Sequence, residues 1–225
     1  MLKRIALICL FLTLGVFGTL FYYWSRFTQI PQWYGQEEEG VIKFENYHNI
    51  QSNQQQVQTK IVNQIQSQTS NEGIEVQLNQ EDINGLLTAG IANNQQESQL
   101  LQATQGVKTK IKDNSLEIGT VVNTAKLSEQ EEKIEQAIDK FPLLKNRDIY
   151  IAIEGQPIAV DGQLKFDENT LIKIGNISMN IKDAAGKLGV TPEKILQNLT
   201  VKSDLIEVQD IQIIDQEIIF KGYKN

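Results

Sequence analysis

Hydrophobic positions along this chain follow three different rules. From Ile5 to Ser25 they run on with no charged residue among them. Between Tyr47 and Ile65 they recur on one side of a helix. From Ile74 onward they mostly alternate, in short runs broken by Asp, Asn and Gly. Each rule predicts a different kind of element.

The first run has twenty-one residues, eleven of them Leu, Ile, Phe or Val. A helix rises about 1.5 Å per residue, so about twenty residues cross a hydrocarbon core of about 30 Å. Those eleven side chains favour insertion by about 3–7 kcal/mol. The run therefore predicts a transmembrane anchor. Ile5, Leu10, Phe11, Val16 and Leu20 form its body, and Tyr22, Tyr23 and Trp24 suit an interfacial aromatic belt at its exit. A cleaved signal peptide has a shorter apolar core, about 7–15 residues. Cys9 lies deep in the run behind Ile8, which does not fit a lipoprotein signal. Lys3 and Arg4 keep the N-terminus cytoplasmic. The expectation is a single-pass protein of a cell membrane, inner or thylakoid. Its body lies on the periplasmic, lumenal or extracellular side. Phe27, Trp33 and Tyr34 are expected to extend the interfacial contact.

The second pattern lies in a glutamine-rich stretch, with eight Gln in residues 51–68. Tyr47, Ile50, Val57, Ile61 and Ile65 fall on one narrow stripe at 100° per residue, and Gln is a good helix former. The stretch predicts a helical stalk. Its stripe either packs on the following domain, the reading preferred here, or self-associates.

The third pattern is strand-rich. Ile74–Leu78 reads as a strand, then Asn79 as the N-cap of a helix carrying Ile83, Leu86, Leu87 and Ile91, with Asp82 completing the cap. Val107, Thr109 and Ile111 alternate with Lys108, Lys110 and Lys112. Leu116 and Ile118 resume after Asp113-Asn114, so a hairpin with one solvated face is expected. Ser128 and Glu131 cap an amphipathic helix with Ile134, Ala137, Ile138 and Phe141, stopped by Pro142. Ile149, Ile151 and Ile153 alternate next, and Asp161-Gly162 marks a turn. Ile172 and Ile174 share one parity and Ile177, Met179 and Ile181 the other, which predicts a strand bulged at Gly175. Thr191-Pro192 opens a short helix, and residues 205–220 supply two more strands. Neighbouring strands joined by short turns make antiparallel sheets. The fold class expected is α+β: an N-terminal transmembrane helix, a helical stalk, then an antiparallel, curved sheet with helices on one face. The domains expected are 1–26 (anchor), 27–70 (juxtamembrane segment and stalk) and 71–225 (exported α+β domain).

Charge narrows the function. Beyond residue 26 there are 18 Lys plus Arg against 28 Asp plus Glu, a net charge of −10. Nucleic-acid binding needs the opposite sign. Cys9 and His48 are the only cysteine and histidine, and neither lies in the expected domain. That leaves no basis for a histidine triad, a thiol nucleophile or a zinc centre. No glycine-rich phosphate loop is present. Asp161, Asp167 and Glu168 could bind Ca²⁺ or act as paired carboxylates, but Asp and Asn gather in turns for local hydrogen bonding, and that reading prevails. Asn176-Ile177-Ser178 and Asn198-Leu199-Thr200 match the glycosylation sequon and are assigned no role. No catalytic residue, metal or cofactor is expected.

The segment VQLNQEDINGLLTAGI, with Asn84-Gly85-Leu86-Leu87, resembles the opening motif of YpmS-like single-pass membrane proteins. The stretch IYIAIEGQPIAVDGQLKFDENTLIKIGNISMNI, with Asp161-Gly162 and Ile174-Gly175, resembles that family's later strand series. The likeness covers about residues 74–200. A similar order occurs in tubular lipid-binding exported proteins, whose curved sheet wraps a helix around an apolar groove. The resemblance implies a groove here, and Leu86, Leu87, Ile134, Ile138, Ile151, Ile153 and Ile174 are its candidate lining. Two functions follow as expectations. One is a non-enzymatic structural or interaction module of the envelope, with a protein partner. The other is binding or transfer of a lipid or other apolar ligand between sheet and helices. Membrane lipid is a partner of the anchor in either case.

Overall fold

The computed structural model describes residues 22, 24–35, 42–43, 47–68, 73–93, 102–128, 144–201 and 203–224. The apolar run up to Phe21, Tyr23, the polar stretch 94–99 and the helix expected beyond Ser128, with Ile134 and Ile138, lie outside those residues. No helix among the described residues is long and apolar enough to cross a membrane.

The architecture is α+β with antiparallel sheets. In chain order the described elements are α1 (Gln32–Gly35), β1 (Ile42–Lys43), α2 (Tyr47–Gln66), β2 (Ile74–Leu78), α3 (Gln80–Asn93), β3 (Thr104–Lys112), β4 (Ser115–Asn123) and α4 (Thr124–Ser128). Then come β5 (Asp148–Gly155), β6 (Pro157–Val160), β7 (Gln163–Phe166), β8 (Leu171–Ile174), β9 (Ile177–Asn180), α5 (Ile181–Leu188), α6 (Pro192–Asn198), β10 (Ile206–Ile214) and β11 (Glu217–Lys224). Among the described residues the largest sheet runs β1-β3-β4-β5-β8-β9. A second runs β10-β11-β2, and β6 pairs β7.

Turn chemistry sets the registers. Asp113 and Asn114 both have positive φ, 48° and 66°, and join Lys112 to Ser115. Asp161 and Gly162, at 55° and 74°, join Val160 to Gln163. Two-residue turns with positive φ twist in the sense that paired strands need. The parity change at Gly175 is not a bulge. Ile174 pairs with Ile177, so Gly175-Asn176 is a two-residue hairpin turn with φ +58° at the glycine. A chain that reverses direction produces the same switch in alternation as one extra residue does. The run also ends earlier than its pattern: Ile181 begins α5, because the Asn180 side chain accepts the Asp183 N–H at 2.7 Å and caps a helix.

The main core joins both larger sheets. Val57, Ile61 and Ile65 of α2 are buried with Ile74, Val76 and Leu78 of β2, Ile83 of α3, and Ile111 and Leu116 at the β3–β4 hairpin end. Val57, Ile61 and Ile65 of the α2 stripe therefore pack on the chain's own body, while the side chains of Tyr47 and Ile50 lie outside those described. Reciprocal bonds cap α3: Asp82 N–H donates to Asn79 Oδ1, and Asn79 N–H to Asp82 Oδ2, both at 2.9 Å. Asn84, the polar residue of the Asn-x-Leu-Leu motif, is fully buried.

Candidate functional site

Register assigns the two faces of the six-stranded sheet. On one face, Ile118, Ile153, Ile172 and Met179 form a row across β4, β5, β8 and β9. Thr120, Ile151, Ile174 and Ile177 form the next row. On the other face Lys110 stands opposite Glu117, and Glu117 opposite Glu154, with Lys173 on the next strand. One face is apolar and the other ionic.

Residues 24–35 wrap the edge of this sheet at the β8–β9 turn. Asn176 N–H donates to the Arg26 carbonyl at 2.8 Å, and its side-chain amide donates to Gln29 Oε1 at 2.6 Å. Phe27 packs on the apolar side with Val122, Leu144 and Ile149, joined by Ile151 and Ile174. Trp33 lies on the opposite side, 2% exposed, against Val121, Tyr150 and Ala152. Its ring meets that of Tyr150 edge-on, 6.1 Å between centroids. Trp33 is thus not an interfacial residue. Gly119, beneath the Tyr150 ring, leaves the space in which that ring lies flat. Tyr22 and Trp24 do remain exposed, at 55% and 43%.

Each side of this strap borders a crevice. The apolar one, 690 Å³, is lined by Phe27, Ile177, Met179 and the α5 residues Lys182, Asp183, Gly186 and Lys187. Its volume falls within the roughly 300–1,000 Å³ of small-ligand sites. Ala184 and Ala185 turn inward, so both lysines stand on the exposed side of α5. The polar crevice, 210 Å³, is lined by Gln29, Lys110, Glu117, Tyr150, Lys173 and Ser178.

The polar crevice is a closed charge network. Lys173 pairs with both Glu117 and Glu154, and the Tyr150 hydroxyl donates to Glu117 Oε1 at 2.7 Å. Burial alone would raise the Glu117 carboxyl. The bonds from Lys173 and Tyr150 and the charges of Lys173 and Lys110 outweigh it and hold the carboxyl below its ordinary value. Burial would lower the Lys173 ammonium, but its two carboxylate partners hold it above its ordinary value. Burial, then the bond to Glu117, push the Tyr150 hydroxyl well up, so it remains a donor. Glu117, Tyr150 and Lys173 are each held in their ordinary charge state. That suits a fixed support better than proton transfer, which needs a group poised near the working pH.

Comparison with family models, with curated proteins and with solved structures finds no match for this chain. The site must therefore be judged on its own geometry.

The structure sorts the candidate groove residues. Ile151, Ile153 and Ile174 share the apolar sheet face. Leu86 and Leu87 pack at its hairpin end, on the core that Ile118 also joins. Ile134 and Ile138 lie outside the described residues. Asp161 and Asp167 take turn roles: Asp161 pairs with Lys165 at 3.1 Å, and Asp167 Oδ1 accepts the Asn169 N–H at 3.1 Å. The sequence reading missed Glu117, Tyr150 and Lys173. The signal was present, since a turn at Asp113-Asn114 places Lys110 directly across from Glu117.

Proposed function

We propose that this chain is a single-pass, membrane-anchored envelope protein without enzymatic activity. Its body sits at the bilayer surface and holds an apolar chain, in the first instance a lipid acyl chain, in the crevice of Phe27, Ile177 and Met179. The observation that carries this reading is the strap. Phe27 follows the predicted anchor by two residues and is itself a wall of the crevice. Residues 24–27 are helical, so an anchor helix running on into Phe27 would open the crevice at headgroup depth. Burying a methylene there is worth about 0.8 kcal/mol. Lys182 and Lys187 supply local positive charge beside it, in a body that is acidic overall. The paired, half-buried ionic network fits a non-catalytic role. The resemblance to YpmS-like and tubular lipid-binding proteins points the same way. The other reading is a structural or interaction module of the envelope with a protein partner; burial of Val57 and Ile61 favours the lipid reading over a docking face on α2.

The test is native mass spectrometry of the full-length protein released from membranes in mild detergent. Wild type is expected to carry co-purified lipid. Met179→Lys places a charge on the apolar wall and should reduce lipid occupancy about tenfold or more. Equal occupancy in wild type and variant, or no lipid in wild type, would overturn the reading.

A further inference from the structure

Gln64 of α2 and Gln68, two residues past its end, have a job that their composition does not reveal. β2 is an edge strand: β11 covers one side of it, and no strand among the described residues pairs with the other. Its outward backbone groups nonetheless have partners. Glu75 N–H donates to Gln68 Oε1 at 2.7 Å, and Gln68 Nε2 donates back to the Glu75 carbonyl at 2.5 Å. Gln77 N–H donates to Gln64 Oε1 at 2.8 Å, and Gln64 Nε2 returns to the Gln77 carbonyl at 3.1 Å. Each primary amide presents an N–H and a C=O side by side, as a peptide edge does, and Gln68 Nε2 has a second N–H that it gives to the Gln64 carbonyl at 3.0 Å. The spacing fits as well. Ser67 N–H still donates to the Asn63 carbonyl at 3.0 Å, so the last turn carries on toward Gln68, and residues four apart in helical geometry are about 6 Å apart along the axis. Residues two apart on a strand are about 6.7 Å apart. Next to these two rungs Lys60, four residues before Gln64, pairs with Asp82, the residue that caps α3, and ties α2 to the start of that helix.

We infer that Gln64 and Gln68 act as a surrogate fourth strand whose role is to keep the β2 edge from pairing with a second copy of itself. An uncovered edge with unpaired N–H and C=O groups templates strand addition. The β2 segment is self-complementary for this. Two antiparallel copies centred on Val76 set Ile74 opposite Leu78 and Glu75 opposite Gln77. Those last two side chains already bond within one strand at 3.0 Å. The occupant of the bared edge is therefore the β2 of a second chain.

The experiment uses the full chain in detergent micelles and reads two quantities, amide hydrogen exchange at Glu75 and Gln77 and mass by light scattering. In Gln64→Ala/Gln68→Ala, exchange at those two amides should quicken about tenfold or more, and a dimer should form. Adding Gln77→Pro removes an edge donor and should return the monomer. The variant Gln64→Glu/Gln68→Glu guards against simple unfolding. It keeps the helix and the acceptors but loses the donors, so it should loosen the edge partway with the core intact. Unchanged protection at Glu75 and Gln77 would overturn the inference. So would a bared edge that remains monomeric, or a dimer that survives Gln77→Pro.

Discussion

Gly175→Val detaches residues 24–35 from the sheet while the sheet itself stays folded. Gly175 has φ +58°, a region that a β-branched residue enters only under strain, at about 1–3 kcal/mol. A side chain also has no space there. A Cβ would lie 2.4 Å from the carbonyl oxygens of Arg26 and Phe27 and 2.7 Å from the Phe27 carbonyl carbon. These are backbone atoms and cannot swing aside. The cheapest response is for the strap to lift off, which withdraws Trp33 from its seat on Tyr150. In a Trp24→Phe background, Trp33 emission should shift to the red in Gly175→Val. It should not shift in Gly186→Ala, where an added Cβ meets open space. Unshifted emission in Gly175→Val would refute the docked arrangement.

Glu117→Gln should destabilise the body by about 1–3 kcal/mol at neutral pH, read from urea unfolding. Glu117 is the acceptor for both Lys173 and Tyr150, and its side chain is only 15% exposed. Gln keeps an acceptor for Tyr150 but leaves Lys173 with Glu154 alone. The pH dependence has a definite sign. The folded-state value of Glu117 lies below its unfolded value. Its contribution is therefore present above the unfolded value and lost as pH falls through the folded one. The gap between wild type and variant should narrow as solutions are taken into that acid range. Lys173 is raised, so on the alkaline side its contribution is whole up to the ordinary lysine value and is lost as pH rises through the folded one. A gap that stays constant into strong acid would mean Glu117 is not the group responsible.

Local rules made much of the fold legible. The turns at Asp113-Asn114 and Asp161-Gly162, the Asn79 cap and the α2 stripe are each specified by residues close in sequence. Gly175 shows where local rules end. A bulge and a reversal both flip the alternation, and only the pairing of Ile174 with Ile177 separates them. Trp33 shows a second limit. Its position just beyond an apolar run suits a membrane interface, and its actual seat depends on Tyr150, more than a hundred residues away. The candidate site was hidden for the same reason. Phe27, Ile177 and Lys187 come together only because a hairpin, a helix and the strap close on one edge. The glutamine amides were read for helix propensity, and nothing local marks them as partners for a strand.

The pinned strap also has a mechanical consequence. Tension arriving from upstream of Trp24 would first meet the Arg147 guanidinium over the Trp24 ring, at 5.6 Å, and then the Asn176–Arg26 bond at the β8–β9 turn. Bonds loaded one at a time yield in sequence, like a zip opened from its end, so the strap would peel before any strand slides. Trp33, seated farther along, is the stop at which such peeling would halt.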